Sequence, residues 1–324
     1  DGGVIGYAIF KKNAMCEFKK MYLDLQMGGT ASYLTALRTG GIISYLNNTG
    51  NVRIEECQIL GDFKALAGAN TVNQIWPGIV GGGISCLENN EGGGIIIDKF
   101  SVDITASATC GSGMYKQTSP VIGRIEKNMG KVFVSNSQNI INCVEGDFNG
   151  FVGYIAKNQN VVNIENSFCV NTGRNVNNYT SWYNTNSENW KNSFLLKDNF
   201  SLRYSNDASQ DEVKYAESIL SHTYSEENMK NIDLYEGWDF DSVWFKKAGE
   251  YPALRAFSNK TQSEKKHSHV YLEGICVDCS EPLNFEENGL KYTVVTTSKN
   301  ANSNSAKPQP VRIISDGKEC FALS

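Results

Sequence analysis

The sequence predicts an all-β fold in which short strand units stack into a solenoid. Three observations predict it. Asn, Gly, Ser and Tyr are abundant while strong helix formers are thin, a balance that favours strands and turns. A short Gly-initiated motif recurs along the first half of the chain. The better copies are each followed by a stretch in which apolar and polar residues alternate, the signature of a half-buried strand.

The motif is Gly, two apolar residues, a small residue, then an aromatic or apolar pair. It reads Gly3-Val4-Ile5-Gly6-Tyr7-Ala8, then Gly41-Ile42-Ile43-Ser44-Tyr45-Leu46, with a looser copy at Gly78-Ile79-Val80-Gly81. Pro120-Val121-Ile122-Gly123-Arg124-Ile125 and Gly150-Phe151-Val152-Gly153-Tyr154-Ile155 follow. The first apolar residues stand 38, 37, 42 and 30 positions apart, and Gly82-Gly83 reads as an insertion after the third copy. The alternating halves are Asn51–Glu56, Lys131–Ser137 and Val161–Ser167. Each unit is then strand, small-residue corner, strand, turn, strand. Such a unit cannot bury its own apolar face, and stacking at about 4.8 Å per layer supplies the shared core. Gly at the corner is expected for its backbone freedom, and Asn at turns for its tolerance of left-handed geometry and its capacity to ladder along the axis.

The fifth copy, Gly150–Ile155 with Val161–Ser167, resembles the GLUG repeat of large surface and secreted proteins. The resemblance covers roughly residues 1–170 and implies a right-handed parallel β-helix without catalytic function. Downstream, Gly237-Trp238-Asp239-Phe240-Asp241-Ser242-Val243-Trp244 and Gly249-Glu250-Tyr251-Pro252-Ala253-Leu254 resemble the segment that closes such arrays. There Trp238, Trp244, Tyr251 and Leu254 are expected to cover the last coil, because an open end exposes an apolar cross-section and unpaired strand edges. Residues 171–257 are accordingly a polar excursion, a short helix at Asp211–His222 and this cap. Trp182, Trp190 and Phe194 in the excursion either pack against the coils or stack on sugar rings.

Residues 258–268 are a linker by composition, and residues 269–324 form a small Cys-containing β module with strands expected at Lys291–Thr296 and Pro310–Ile314. At its start His267 and His269 precede Cys276-Val277-Asp278-Cys279, resembling an H-x-Y-x-x-G-x-C-x-x-C element found at the ends of surface proteins. Cys276, Cys279, His269 and His267 are the candidate ligands of a structural zinc. A disulfide loop, or a disulfide to Cys320, is the alternative. The nine cysteines are read either as small buried thiols or as disulfide partners.

A net charge of −5 and a pI near 5.4 give no footprint for nucleic acid or anionic membranes, and no apolar run approaches the roughly 20 residues of a membrane span. Sequons at Asn47, Asn178, Asn199 and Asn259 permit surface glycosylation. Metalloprotease, nucleophile-elbow and P-loop motifs are not present in the sequence, and His222 stands without an obvious nucleophile partner. Asp239 and Asp241, two apart, are expected to share one strand face, the one carboxylate pair that invites a glycosidase or calcium reading. The expected function is a non-enzymatic extracellular or cell-surface structural or adhesive protein, needing no cofactor. Its expected partners are other protein chains, with self-association through the exposed N-terminal coil, and host or matrix glycans. The alternatives are a polysaccharide lyase or hydrolase on a β-helix, and a glycan-binding module without turnover.

Overall fold

The computed structural model describes residues 3–31, 37–48, 50–67, 78–89, 93–109, 116–155, 160–173, 176–179, 188–198, 200–203 and 210–257, and the backbone of short strands beyond 270. The chain divides into two compact units, Asp1–Ser258 and Asn259–Ser324.

The first unit is built in layers of strand. The first layer holds β1 (Ile5–Phe10), β2 (Met15–Lys19) and β3 (Tyr22–Ala31). The second holds β4 (Leu37–Gly40), β5 (Ile43–Asn48), β6 (Asn51–Glu55) and β7 (Gln58–Ala67). In the third are β8 (Gly78–Gly81), β9 (Ile84–Asn89) and β10 (Ile95–Thr109), and in the fourth β11 (Lys116–Ser119), β12 (Ile122–Asn128) and β13 (Val132–Glu145). Shorter layers follow with β14 (Asp147–Phe148), β15 (Val162–Glu165) and β16 (Phe168–Asn171), then β17 (Val176–Tyr179), β18 (Glu188–Lys191) and β19 (Phe194–Leu196). The unit ends in β20 (Phe200–Arg203), α1 (Gln210–Leu220), β21 (Thr223–Tyr224), α2 (Glu226–Met229), and the hairpin of β22 (Trp244–Phe245) and β23 (Ala253–Leu254).

Every pairing between these layers is parallel. One sheet runs β1-β5-β9-β12, a second β4-β8-β11-β14, and the largest joins β2-β6-β10-β13-β16-β19-β21, with β7 on β10, β3 on β7, β15 on β13 and β18 on β15. The alternating apolar residues explain this arrangement. Val52, Ile54, Ile95, Ile97, Val132, Val134, Val162 and Ile164 all point into one apolar core and are buried. Among the described residues no helix is long and apolar enough to cross a membrane.

The register corrects the third repeat. Ile43 lies opposite Ile84, and Ile84 opposite Ile122, so the true copy is Gly82-Gly83-Ile84-Ser85-Cys86-Leu87. Gly78–Gly81 belongs to the preceding strand, paired with Leu37–Gly40 and Lys116–Ser119. The two glycines are therefore the corner itself and not an insertion. The corner glycines also have a different reason from the one expected. Gly41 and Gly82 are not in left-handed conformations; a Cβ on Gly41 would stand 2.1 Å from the Gly82 carbonyl oxygen, and one on Gly82 2.2 Å from that of Pro120. Close approach of consecutive layers, and not backbone freedom, demands glycine here.

Left-handed geometry is used elsewhere, between the two legs of the largest sheet. Lys20, Glu56, Lys99, Asn136, Asn166 and Asn192 have φ of 56°, 53°, 50°, 48°, 48° and 46°, one in each successive layer. Asn192 Nδ2 donates to Asn166 Oδ1 at 3.4 Å, so the expected amide ladder forms. In the earlier layers charge takes over, with Lys99 Nζ 3.4 Å from Glu56. Directly after the Asn corners, Ser137, Ser167 and Ser193 are buried and linked, Ser167 Oγ accepting from Ser137 N at 2.9 Å and Ser193 Oγ from Ser167 N at 3.3 Å.

The aromatic residues at 238–257 do not sit on the end of the stack. Phe168 and Val170 of β16 and Phe194 and Leu196 of β19 face away from the main core, and Met229, Tyr235, Trp238, Trp244, Leu254 and Phe257 form a second cluster on them. Trp238 Nε1 donates to Asn192 O at 3.0 Å, and Leu254 N donates to Gln138 Oε1 at 3.1 Å. The segment thus buttresses the outer face of the sheet across several layers. Helix α1, close to the range expected for it, supplies Ile219 to the main core.

In the second unit β24 (Tyr271–Leu272) and β25 (Ile275–Cys276) form an antiparallel pair. An antiparallel sheet follows in the order β26 (Asn284–Glu287), β27 (Leu290–Thr296), β28 (Val311–Ser315) and β29 (Lys318–Leu323). β27 and β28 fall where strands were expected.

Candidate interaction surface

Asp239 and His222, two of the residues offered by the sequence for chemistry, have structural partners. Asp239 and Asp241 lie in a turn and not on a strand. The Asp239 carboxylate accepts from Asp241 N at 3.0 Å and from Ser242 N at 2.8 Å, and the Ser242 hydroxyl also donates to it. These donors hold its pKa below the ordinary carboxylate value. His222 follows α1 with its ring 5.6 Å from that of Trp190 and its Nδ1 3.1 Å from Ser193 O, and burial lowers its pKa. Trp190 and Phe194 are buried, which removes both from the sugar-stacking reading; Trp182 lies outside the described residues.

Cys57, Cys86, Cys143 and Cys169 are buried thiols outside any disulfide, and Cys16 is a half-buried one. Burial pushes the Cys86 thiol up to about 12 and Cys169 well above its ordinary value, so neither supplies a thiolate near neutrality. Of the proposed zinc ligands, His267, His269 and Cys279 lie outside the described residues, and Cys276 is described only by its backbone in β25. Among the described residues no three His, Cys, Asp or Glu converge as a metal site would require. Asn47 lies half-buried on β5; Asn199 and Asn259 are outside the described residues, and Asn178 is described by backbone alone.

What remains is the first layer. β1 and β2 stand at the ends of their sheet orders, and β3 pairs with β7 alone. Its inward side chains show the consequence. Ile5, Cys16, Leu23 and Met27 are only partly buried, whereas Ile43, Val52, Ile59 and Phe63 opposite them are at most 2 % exposed. Outward apolar groups gather on the same layer: Tyr7 is 62 % exposed, Ile9 57 % and Met15 71 %. Tyr7 is stacked on Tyr45 of the second layer, with centroids 5.1 Å apart and planes 1° apart. Among the described residues this layer is therefore the outermost one of the stack, with a partly covered apolar cross-section behind it.

The far end differs. β19 passes to β21, Ile219 of α1 enters the core, and the His222 ring lies on Trp190. Compared with known protein families, curated proteins and solved structures, the chain finds no match. Its class is given by its own geometry: a mostly β protein, with parallel sheets in the first unit and an antiparallel sheet in the second.

Proposed function

We propose that this chain is a non-enzymatic structural or adhesive protein of the cell surface or extracellular space. In this reading residues 1–170 are GLUG-like coils of a right-handed parallel β-helix, used as a stalk, adhesin or assembly unit. The observation that carries it is the agreement of the parallel ladders: the same layers follow one another in the same order in each sheet around one apolar core. Layered cores of this kind add length without adding a cleft, which suits a spacer or a docking platform. The employment of Asp239, His222 and the buried thiols in packing and turns supports a role without turnover. Small-angle X-ray scattering of the full chain tests the architecture, with an elongated particle expected; a compact globule overturns it. Incubation with a panel of polysaccharides tests the absence of turnover, and release of new reducing or unsaturated ends would make the chain an enzyme.

A further inference from the structure

Three oxygen acceptors gather without donors where β11 meets β14. Gln117 and Asp147 are partners in the parallel register of these strands, so their side chains stand on one face, about 4.8 Å apart. Gln117 is 4 % exposed, and its Oε1 is enclosed with no hydrogen-bond donor among the described residues. Asn149, two residues beyond Asp147, is fixed by its Nδ2 donating to Gly153 O, which leaves its own Oδ1 enclosed and likewise without a donor. Gly153 in turn lies against Gln117, since a Cβ there would stand 3.3 Å from Gln117 Cβ. The Asp147 carboxyl completes the group. Burial pushes it up to about 6, with the Lys116 ammonium opposing in part, so near neutrality it is an ionised but poorly solvated carboxylate. Enclosed acceptors without donors are costly, and folded chains rarely keep them without a guest.

We propose that Gln117 Oε1, the Asp147 carboxylate and Asn149 Oδ1 form a calcium-binding site. Unlike zinc, calcium takes amide oxygens beside a carboxylate, so the site needs no cluster of three ionisable ligands. The spacing favours calcium over magnesium. Oxygens facing one another across calcium, at roughly 2.3–2.6 Å each, are separated by about the pitch of the ladder, whereas magnesium at roughly 2.0–2.1 Å draws them closer. Half-exposed Asp147 gives the ion its way in, and water fills the remaining positions. With a single carboxylate the affinity falls in the weak range of extracellular modules, a Kd of about 10⁻⁴–10⁻³ M. The ion ties β14, only two residues long, to β11. The site needs the pairing of these two strands alone and stands or falls apart from the adhesive role.

The test titrates the full chain, stripped with EDTA and dialysed, with calcium chloride at pH 7.5 by isothermal titration calorimetry. One saturable site is expected, with magnesium chloride binding about 10-fold more weakly. Asp147→Asn should weaken calcium binding by about 10-fold and Gln117→Leu by about 5-fold, whereas Asp241→Asn, in an exposed turn, should leave it unchanged. Circular dichroism checks that each variant is folded. On the unmodified chain, lowering the pH to 5.0 protonates Asp147 and should weaken binding by about 10-fold, a reading that needs no variant. No saturable heat up to about 10 mM calcium chloride overturns the proposal, since the expected Kd lies at least tenfold below that. An affinity unmoved by Asp147→Asn, equal affinity at the two pH values, or magnesium binding as tightly as calcium overturns it as well.

Discussion

Gly82 shows how closely the layers approach at one residue. A methyl group there meets the Pro120 carbonyl oxygen at 2.2 Å and Val102 Cγ1 at 2.8 Å, and the first of these is backbone of the adjacent layer. Gly82→Ala should cost about 3 kcal/mol, read from the urea midpoint, while Gly249→Ala, with open space around its Cβ but φ of 75°, should cost about 1 kcal/mol. A smaller loss at Gly82 than at Gly249 would refute the close-approach account. Asp147 provides a pH-dependent case. Burial pushes its carboxyl up to about 6, with Lys116 opposing in part. The folded chain then holds a proton that the unfolded chain releases, so this residue's contribution falls as pH rises from about 4 to 6. Raising a carboxyl that far above its ordinary value corresponds to about 3 kcal/mol, and partial solvent access reduces that to about 2. Asp147→Asn should therefore stabilise the protein by about 2 kcal/mol at pH 7.5 and have little effect at pH 4, measured by urea titration at both. The residue types at the Asn corners were readable in advance because Asn tolerates left-handed geometry. Lys20, Glu56 and Lys99 in the same geometry were not, since nothing in those side chains announces it.

At the scale of elements, the alternating strands β6, β13 and β15 followed from periodicity, because a period of two is a local property, and helix α1 was also legible in its own stretch of sequence. The third repeat was misplaced because Gly78-Ile79-Val80-Gly81 fits the motif better than the true copy, Gly82-Gly83-Ile84-Ser85, and only the pairing of β8 with β4 and of β9 with β5 separates them. The Trp-rich segment was recognised as a cover but assigned to the wrong face. Which side of β16 and β19 carries Phe168 and Phe194 depends on the pleat of the assembled sheet, and a segment's own residues do not encode that. Trp244 is fully buried there, with its ring centroid 4.4 Å from that of Trp238. Trp244→Ala should cost about 4 kcal/mol and open residues 226–257 to limited proteolysis, with the first four layers still resistant. Simultaneous cleavage throughout the unit would show that the buttress is not a separate element.

For the whole molecule, layers with neighbours on both sides should outlast the edge. Amides of β1 and β3 should exchange with deuterium on the order of 100-fold faster than those of β7 and β10, giving a gradient along the stack. Uniform protection across these strands would mean that the first layer has cover of its own. The order in which the strands pair was legible from the repeats, because each copy of the motif returns the chain to the same place in the ladder.

The pairing of β3, β7 and β10, and of β4, β8 and β11, has one more effect. The connections Ala31–Leu37, Ala67–Gly78 and Thr109–Lys116 differ in length, yet each leaves and rejoins the scaffold beside the next. Doubling the length of a loop costs only about 0.6 kcal/mol in closure entropy. Foreign peptides spliced at these three sites should therefore be displayed in a single file along the molecule, at a pitch of one strand spacing, with the ladders beneath them unaltered.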